Sequence, residues 1–163
     1  MTTTKAFTPS NNFNHLNERL IEQAENANSN SGVWAAIGIP RRGALLFSSL
    51  KEGFNYSAVE ALAVYGVNRK ELCNFTGITL STLDRRKSEG HLSTQESDKV
   101  YGLVRLIDAA TDLFSGNEDK AKAWIRKSAK GLGDRAPIDM IRTTAETESV
   151  IDFIGRVKHG VIV

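Results

Sequence analysis

The clearest candidate for binding chemistry is segment 80–87, in which hydroxyl side chains precede three consecutive cations. At helical spacing, Leu80 and Leu83 are expected to face a core, which leaves the polar side chains to solvent. Hydroxyl groups can meet base edges and phosphates, and cations can neutralise a phosphate backbone. The segment therefore predicts a DNA-recognition helix. Its candidate contacts are Thr79, Ser81, Thr82, Arg85, Arg86 and Lys87.

The residues before this segment form the rest of a motif. Asn68 is a typical N-cap residue for a helix over residues 69–75, and Gly77 interrupts the pattern before the next helix begins at Leu80. A helix, a glycine-containing turn and a second helix are the outline of a helix-turn-helix. The basic cluster alone fits a solvated turn of a helical domain equally well. The capped helix and the glycine turn are what favour DNA binding.

The C-terminal end of the sequence is the second region with binding potential. The last predicted helix carries Lys158 and His159 in its final turn and stops at Gly160. The apolar tail Val161-Ile162-Val163 follows directly and would gain from covering apolar surface. It therefore either packs on its own domain or enters a partner. His159 is more typical of a cation at a helix end than of a catalytic base.

Composition argues against several other functions. The formal net charge is only +2, so a nucleic-acid function must rest on a local basic cluster. The single cysteine, Cys73, is interpreted as a buried structural thiol rather than a nucleophile. The three histidines lack metal-ligand spacing, and the sequence has no Gly-rich phosphate loop or serine-nucleophile motif. We therefore expect no enzymatic activity, no cofactor and no metal. Because no signal peptide or membrane-spanning run is recognisable, we expect a cytoplasmic protein.

The spacing of apolar residues predicts an all-α fold without strands. The strongest signal follows Ser93 and Glu96, a capping-box pair, where a helix of about six turns is expected. This long helix carries the apolar stripe Val100, Leu103, Val104, Ile107, Ala110, Thr111 and Phe114. Further along the chain, Trp124 is expected in the core rather than as a stacking platform. The remaining helices are predicted at 43–50, 56–65, 69–75, from 80, at 118–127, from Pro137 and from 143 to 160.

Two parts of the sequence together resemble the MbcA/ParS/Xre antitoxin family. Segment 80–93 resembles that family's S-x-x-T-L-x-R-R-x-x-x-G-x-L-S pattern. The resemblance covers roughly residues 41–163. The sequence departs from the family pattern at Gly131-Leu132-Gly133, where two adjacent glycines are expected, and at Ala136, where a hydroxyl would cap the Pro137 helix. The later matching residues are Trp124, Leu132-Gly133, Arg135, Pro137, Gly155-Arg156 and His159-Gly160.

The resemblance implies an antitoxin of a type II toxin-antitoxin pair whose partner is a RES-domain toxin that degrades NAD. The C-terminal module is then expected to cover the NAD pocket of the toxin, and the helix-turn-helix lets a homodimer bind operator DNA and repress its own operon. The toxin contacts that the resemblance implies are Arg135, Arg156, Lys158, His159, Gly160, Val161, Ile162 and Val163.

Three segments are expected along the chain. Residues 1–32 are rich in asparagine and are predicted to be a flexible tail, within which Phe13, Leu16, Leu20 and Ile21 have the spacing of a short docking helix. Residues 33–99 are predicted to form the helix-turn-helix DNA-binding domain. Residues 100–163 are predicted to form a small helical toxin-binding domain.

Two rival functions stay open at the level of sequence. The first is a helix-turn-helix transcriptional regulator with no toxin partner, which shares the DNA-binding motif and differs only in what its C-terminal domain binds. The second is a small enzyme, but its candidate residues Asp134, Arg135, Asp139 and His159 have no recognisable catalytic spacing.

Overall fold

The computed structural model describes residues 32–161 of the 163-residue chain. Over this range the regular structure consists of eight α-helices and two short 3-10 helices, and the only β-type pairings are two isolated bridges. The predicted all-α fold is confirmed. The α-helices are α1 Val33–Ile37, α2 Gly43–Glu52, α3 Ser57–Val64, α4 Arg69–Thr76, α5 Leu80–Glu89, α6 Thr94–Leu113, α7 Glu118–Trp124 and α8 Thr144–Lys158. The 3-10 helices are Lys130–Leu132 and Pro137–Asp139.

Side-chain caps fix where five of these helices begin, among them α4, α6 and α8. The Asn68 side chain accepts a hydrogen bond from the Glu71 backbone amide at 3.0 Å, and the Glu71 carboxylate accepts one from the Asn68 backbone amide at 3.0 Å. Ser93 and Glu96 form the same reciprocal pair at the start of α6, as the sequence predicts. Thr143 caps α8 with its side-chain oxygen. These bonds satisfy amides that a helix leaves free in its first turn.

Helix α6 is the central element of the fold. It is 20 residues long and packs against α1, α2, α4, α7 and α8. Most of the predicted apolar stripe is buried, and Leu106 adds to it. One continuous apolar core therefore joins the helices before α6 to the helices after it. The fully buried apolar side chains of α6 are Val100, Leu103, Val104, Leu106 and Ala110.

Three features of the N-terminal half differ from the sequence predictions. Helix α1 was not predicted, yet Trp34 is buried and its ring lies 5.5 Å from that of Tyr101 on α6. Leu80 was expected in the core, but it is 48% exposed. It is the first residue of α5, and the buried Ile78 fills that end of the core instead. Cys73 is half-buried rather than buried, and this burial raises the pKa of its thiol.

In the C-terminal half, α7 is shorter than predicted. It ends at Trp124, because the backbone carbonyl of Ile125 accepts a hydrogen bond from the Ile138 amide at 3.0 Å, and this contact turns the chain toward the second 3-10 helix. Trp124 is half-buried and stacks on Phe153 with ring centroids 6.4 Å apart, as expected of a residue that packs against the core.

Several predictions fall on residues outside the described range. They concern the asparagine-rich segment before Gly32, its predicted short helix over residues 13–21, and the tail residues Ile162 and Val163. Among the helices of residues 32–161, none is long and apolar enough to cross a membrane.

Candidate functional site

The helix-turn-helix is formed by α4 and α5 with Gly77 between them. Gly77 ends α4 in the left-handed conformation, with φ of 73°, which glycine adopts without steric cost. The Thr76 hydroxyl donates to the Leu72 carbonyl at 2.6 Å and accepts from the Ile78 amide at 3.3 Å. The buried Ile78 then anchors the turn in the core. These hydrogen bonds and the buried Ile78 together fix the conformation of the turn that leads into α5.

The predicted hydroxyl residues meet at the N-terminal end of α5. The Thr79 side chain caps the helix by accepting from the Thr82 amide at 3.2 Å. Its hydroxyl also lies 2.8 Å from that of Thr82 and 3.1 Å from that of Ser81. Thr79 and Ser81 are exposed, and Thr82 is half-buried. In a helix-turn-helix this end of the second helix is the part that reaches base edges.

Two of the three predicted cations are available to solvent. The side chains of Arg85 and Lys87 are 59% and 60% exposed. Arg85 lies 3.9 Å from Glu89, and Lys87 lies 3.4 Å from Glu60 on α3. Exposed ion pairs of this kind contribute little to stability, so a phosphate group can replace the carboxylate in either pair.

Arg86 does not lie free in solvent, and the expectation that it would is wrong. Its side chain is only 15% exposed, and its guanidinium donates to Glu96 at 2.6 Å and to Glu89 at 2.5 Å. The same Glu96 oxygen accepts from the Ser93 amide in the capping box of α6. Burial disfavours the Glu96 carboxylate, but the Ser93 amide and Arg86 outweigh this effect and lower its pKa. Arg86 therefore fastens α5 to α6.

Lys70 was not among the sequence candidates, although it lies in the motif. It is an exposed cation in the first turn of α4, and within residues 32–161 its side chain forms no ion pair. The first helix of a helix-turn-helix crosses the DNA backbone. The signal in the sequence was its place two residues after the Asn68 cap. Its neighbour Arg69 has a different task, since it pairs with Asp84 and ties α4 to α5.

The end of α8 forms the second candidate surface, and it is open to solvent. Arg156, His159 and Val161 border a shallow groove of about 830 Å³ that Ile151 and Gly155 also line. Arg156 and His159 make no side-chain hydrogen bond or ion pair with any other described residue. Val161 is 52% exposed, so the rest of residues 32–161 covers only about half of this first tail residue. Gly160 ends the helix region with φ of 70°.

The structure separates two of the predicted toxin contacts from this groove. Lys158 forms an exposed ion pair with Asp112 of α6, a kind of contact that adds little to stability. Arg135 donates to Glu146 at 2.9 Å and to the Asp139 carbonyl at 2.8 Å. Glu146 belongs to the first turn of α8, and ten residues of helix, about 15 Å, separate it from Arg156. Arg135 therefore lies near the opposite end of the helix.

Two arginines of the C-terminal half hold the helix-turn-helix. Arg126 donates to the Gly66 carbonyl at 2.8 Å and lies 3.5 Å from Glu71. Arg142 donates to the Asn74 carbonyl at 2.9 Å. Both ends of the α4 region are therefore bonded to the half of the chain that carries the α8 groove. Among the described residues, no cluster of histidine, cysteine and carboxylate side chains has the geometry to hold a metal ion.

Comparison with known proteins divides the chain into two matching parts. Residues 37–105 match the family described as the Antitoxin Xre-like helix-turn-helix domain. Residues 109–160 match the Antitoxin Xre/MbcA/ParS C-terminal toxin-binding domain. The first match contains α4 and α5, and the second contains the α8 groove as far as Gly160.

Curated relatives agree with both matches. An Antitoxin Xre of Yersinia enterocolitica is 36% identical over 138 residues, which cover 83% of this chain and 93% of the relative. An Antitoxin Xre of Photorhabdus laumondii is 31% identical over 147 residues, which cover 88% of this chain and 99% of the relative. A Prs ADP-ribosylating antitoxin of a Sphingobium species is 25% identical over 108 residues, covering 61% of this chain and 68% of the relative. This chain belongs to the Xre family of antitoxins, with a helix-turn-helix domain followed by a C-terminal toxin-binding domain.

Proposed function

We propose that this antitoxin neutralises a RES-domain toxin that degrades NAD by covering the toxin's active site with the end of α8, and that its homodimer represses its own operon through α5. The observation that carries the first part is the open groove at the end of α8. Arg156, His159 and Val161 border it. Among the described residues Arg156 and His159 have no side-chain hydrogen-bond partner, and Val161 is 52% exposed. A partner is therefore the natural source of the contacts that they lack.

The chemistry of the groove suits the blocking of a cleft. Arg156 and His159 supply hydrogen-bond donors, and Asp152 supplies a carboxylate acceptor. Val161 and Ile151 supply apolar surface. A helix end that occupies the mouth of an active site excludes substrate by volume, whatever reaction the site performs. The name of the Sphingobium relative contains the words ADP-ribosylating, and enzymatic ADP-ribosylation draws its ADP-ribosyl group from NAD. This supports an NAD-consuming partner.

The test compares the full chain with a chain that stops at Val157. Each is mixed with the purified RES-domain protein that co-purifies with the full chain, and NAD consumption is followed. We expect the full chain to suppress consumption and the shortened chain to fail, although its thermal unfolding changes little. Arg156→Ala is expected to weaken suppression, whereas Lys127→Ala, at an exposed cation away from the groove, is expected to leave it unchanged. Suppression by the shortened chain would refute the proposal.

The same assay separates two reactions of the partner. A toxin that degrades NAD releases free ADP-ribose or its fragments in proportion to the NAD lost. A toxin that transfers ADP-ribose instead leaves a mass increase on an acceptor protein. We expect release without transfer, and stoichiometric labelling of an acceptor would replace NAD degradation by ADP-ribosylation in the proposal.

The homodimer would place two copies of α5 on a two-fold-symmetric operator. The large apolar side chains Phe47 and Val64 are 69% and 81% exposed, and covering them would favour association. In sedimentation experiments we expect the chain to run as a dimer and Phe47→Asp or Val64→Asp to shift it toward monomer. Lys127→Asp serves as the control. A monomeric wild-type chain at the concentrations that saturate operator DNA would contradict this part of the proposal.

A further inference from the structure

Helix α8 contains a glycine that the fold of residues 32–161 does not explain. Gly155 lies inside the 15-residue helix, three residues before its end at Lys158. Glycine inside a helix is less favourable than alanine, because it loses more backbone freedom on folding. Its presence at such a position calls for a physical reason, either a backbone conformation or a close contact.

A second helical glycine, Gly102, differs from Gly155 because it lies where two helices touch. Gly102 lies in α6, and a Cβ atom there would be 3.4 Å from the Thr147 hydroxyl oxygen and 3.6 Å from its methyl carbon on α8. These are ordinary van der Waals distances, so Gly102 lies at the contact between α6 and α8 and a methyl group there would touch Thr147. Gly102 is buried, as an interhelical contact requires.

Gly155 makes no comparable interhelical contact within residues 32–161. A Cβ atom added there would meet no atom within 4 Å, and its φ is not in the left-handed region. The residue lies instead on the open side of α8, in the groove bordered by Ile151, Arg156, His159 and Val161. An alanine would fit the isolated chain without a clash and would favour the helix.

We propose that Gly155 is the point at which the main chain of the toxin packs directly against the backbone of α8. The inference rests on the proposed function and deepens it. The occupant is assigned to the toxin because the match to the C-terminal toxin-binding domain runs through residue 160 and includes this face. The open groove, its mixed apolar and hydrogen-bonding border, and the bare backbone at its centre suit the close approach of another polypeptide.

The proposal predicts effects of opposite sign on folding and on binding. In Gly155→Ala, the midpoint of thermal unfolding should rise by about 1–4 °C, because alanine is the better helix former and nothing obstructs its methyl group. Affinity for the toxin should fall about tenfold or more, because the same methyl group would overpack the interface. A residue with only a structural role would not give a more stable yet weaker-binding variant.

The experiment measures both quantities with the full chain and a catalytically inactive RES-domain partner. Thermal unfolding is followed by circular dichroism, and the dissociation constant is measured by calorimetry. The series Gly155→Ala and Gly155→Leu should weaken binding progressively. Ala145→Leu adds bulk at an exposed position in the first turn of the same helix, and it should leave affinity unchanged.

The outcomes distinguish this inference from the proposed function. If the chain that stops at Val157 fails to bind but Gly155→Ala binds as wild type, the close approach is wrong and the proposed function stands. If that shortened chain also binds, the proposed function fails. If Gly155→Ala lowers the unfolding midpoint, or if it changes self-association instead of toxin affinity, the assignment of this position to the toxin is overturned.

Discussion

The neighbours Arg85 and Arg86 show how one sequence motif divides into two roles. Their types are identical and their positions differ by one residue, yet a step of about 100° around the helix separates their faces. Arg85 points to solvent, while Arg86 is held by Glu89 and Glu96. The basic cluster that indicates DNA binding is therefore partly a cluster that holds the recognition helix in place.

We expect Arg85→Ala to impair DNA binding and Arg86→Ala to impair stability. Arg85→Ala should reduce operator affinity and lower the slope of log affinity against log salt by about 0.9, the value for one lost phosphate contact. Arg86→Ala should lower the free energy of unfolding by about 1–2 kcal/mol, because it removes two charge-assisted hydrogen bonds. Fluorescence anisotropy across a salt series and urea unfolding measure the two effects. An unchanged salt slope for Arg85→Ala would exclude it from the DNA contact.

The ion pair between Arg86 and Glu96 should make the free energy of unfolding depend on pH. Because its pKa is lower in the folded chain than the ordinary value of 4.5, the carboxylate stabilises the fold fully above that ordinary value. This contribution is lost as the pH falls through the lowered pKa. Wild type should therefore lose more free energy of unfolding than Glu96→Gln between about pH 6 and about pH 3, and it should be the more stable protein near neutrality.

Two other carboxyl groups with a lowered pKa must be controlled for in this prediction. Arg135 lowers the pKa of Glu146, and Arg105 lowers the pKa of Glu148. Both remain in the Glu96→Gln variant, so their acid sensitivity cancels in the comparison. Equal loss of stability in the two proteins, measured by urea unfolding at each pH, would contradict the assignment to Glu96.

At the scale of elements, two backbone hydrogen bonds join the segment after α2 to the connection between α5 and α6. The Leu92 amide donates to the Phe54 carbonyl at 2.8 Å, and the Tyr56 amide donates to the Gly90 carbonyl at 2.9 Å. Gly53 makes this approach feasible, because a Cβ atom there would lie 1.9 Å from the Leu92 carbonyl oxygen. The end of α2 is thus fixed against the connection between α5 and α6.

A matched pair of glycines tests this contact. Gly53 and Gly116 both have φ of 88°, but a Cβ at Gly116 would meet nothing within 4 Å. Gly116→Ala should lower the free energy of unfolding by about 1 kcal/mol, from backbone strain alone. Gly53→Ala should cost at least about 2 kcal/mol more, because a backbone carbonyl must also move. Equal losses in urea unfolding would show that the approach of Leu92 is not a constraint.

At the scale of the whole molecule, the DNA-binding and toxin-binding parts share one core. Helix α6 supplies buried side chains to both, and Arg126 and Arg142 add hydrogen bonds from the C-terminal half to the α4 region. No flexible linker separates the two matched domains, since the residues between 105 and 109 lie inside α6. We therefore expect the two parts to unfold together.

The two tryptophans make this expectation measurable. Trp34 is buried in α1, and Trp124 at the end of α7 stacks on Phe153. In Trp124→Phe the fluorescence reports on the N-terminal half, and in Trp34→Phe it reports on the C-terminal half. In each variant the urea midpoint from fluorescence should coincide with the midpoint from far-ultraviolet circular dichroism. A separate transition in either variant would establish two independent folding units.

The sequence by itself determined the helical character, the family resemblance and the main helix boundaries. These depend on local physics: the Asn68 and Ser93 caps, the glycine turn at Gly77 and the period of the apolar stripe on α6. Such signals involve residues close together along the chain, so they can be seen without coordinates. The sequence did not predict helix α1, because a segment of five residues is too short to show a helical period.

The tertiary structure decided which members of each motif are available to a partner. Arg86, Lys158 and Arg135 have the same residue types as free surface cations, but Glu96, Asp112 and Glu146 bind them. Each of these pairs joins residues that are ten to 46 positions apart along the chain. Local spacing contains no signal for such a pairing, because it arises only when α6 brings the other elements together. For the same reason, only the folded chain could distinguish Gly102, which packs against α8, from Gly155, where an added Cβ would meet no atom of the described residues within 4 Å.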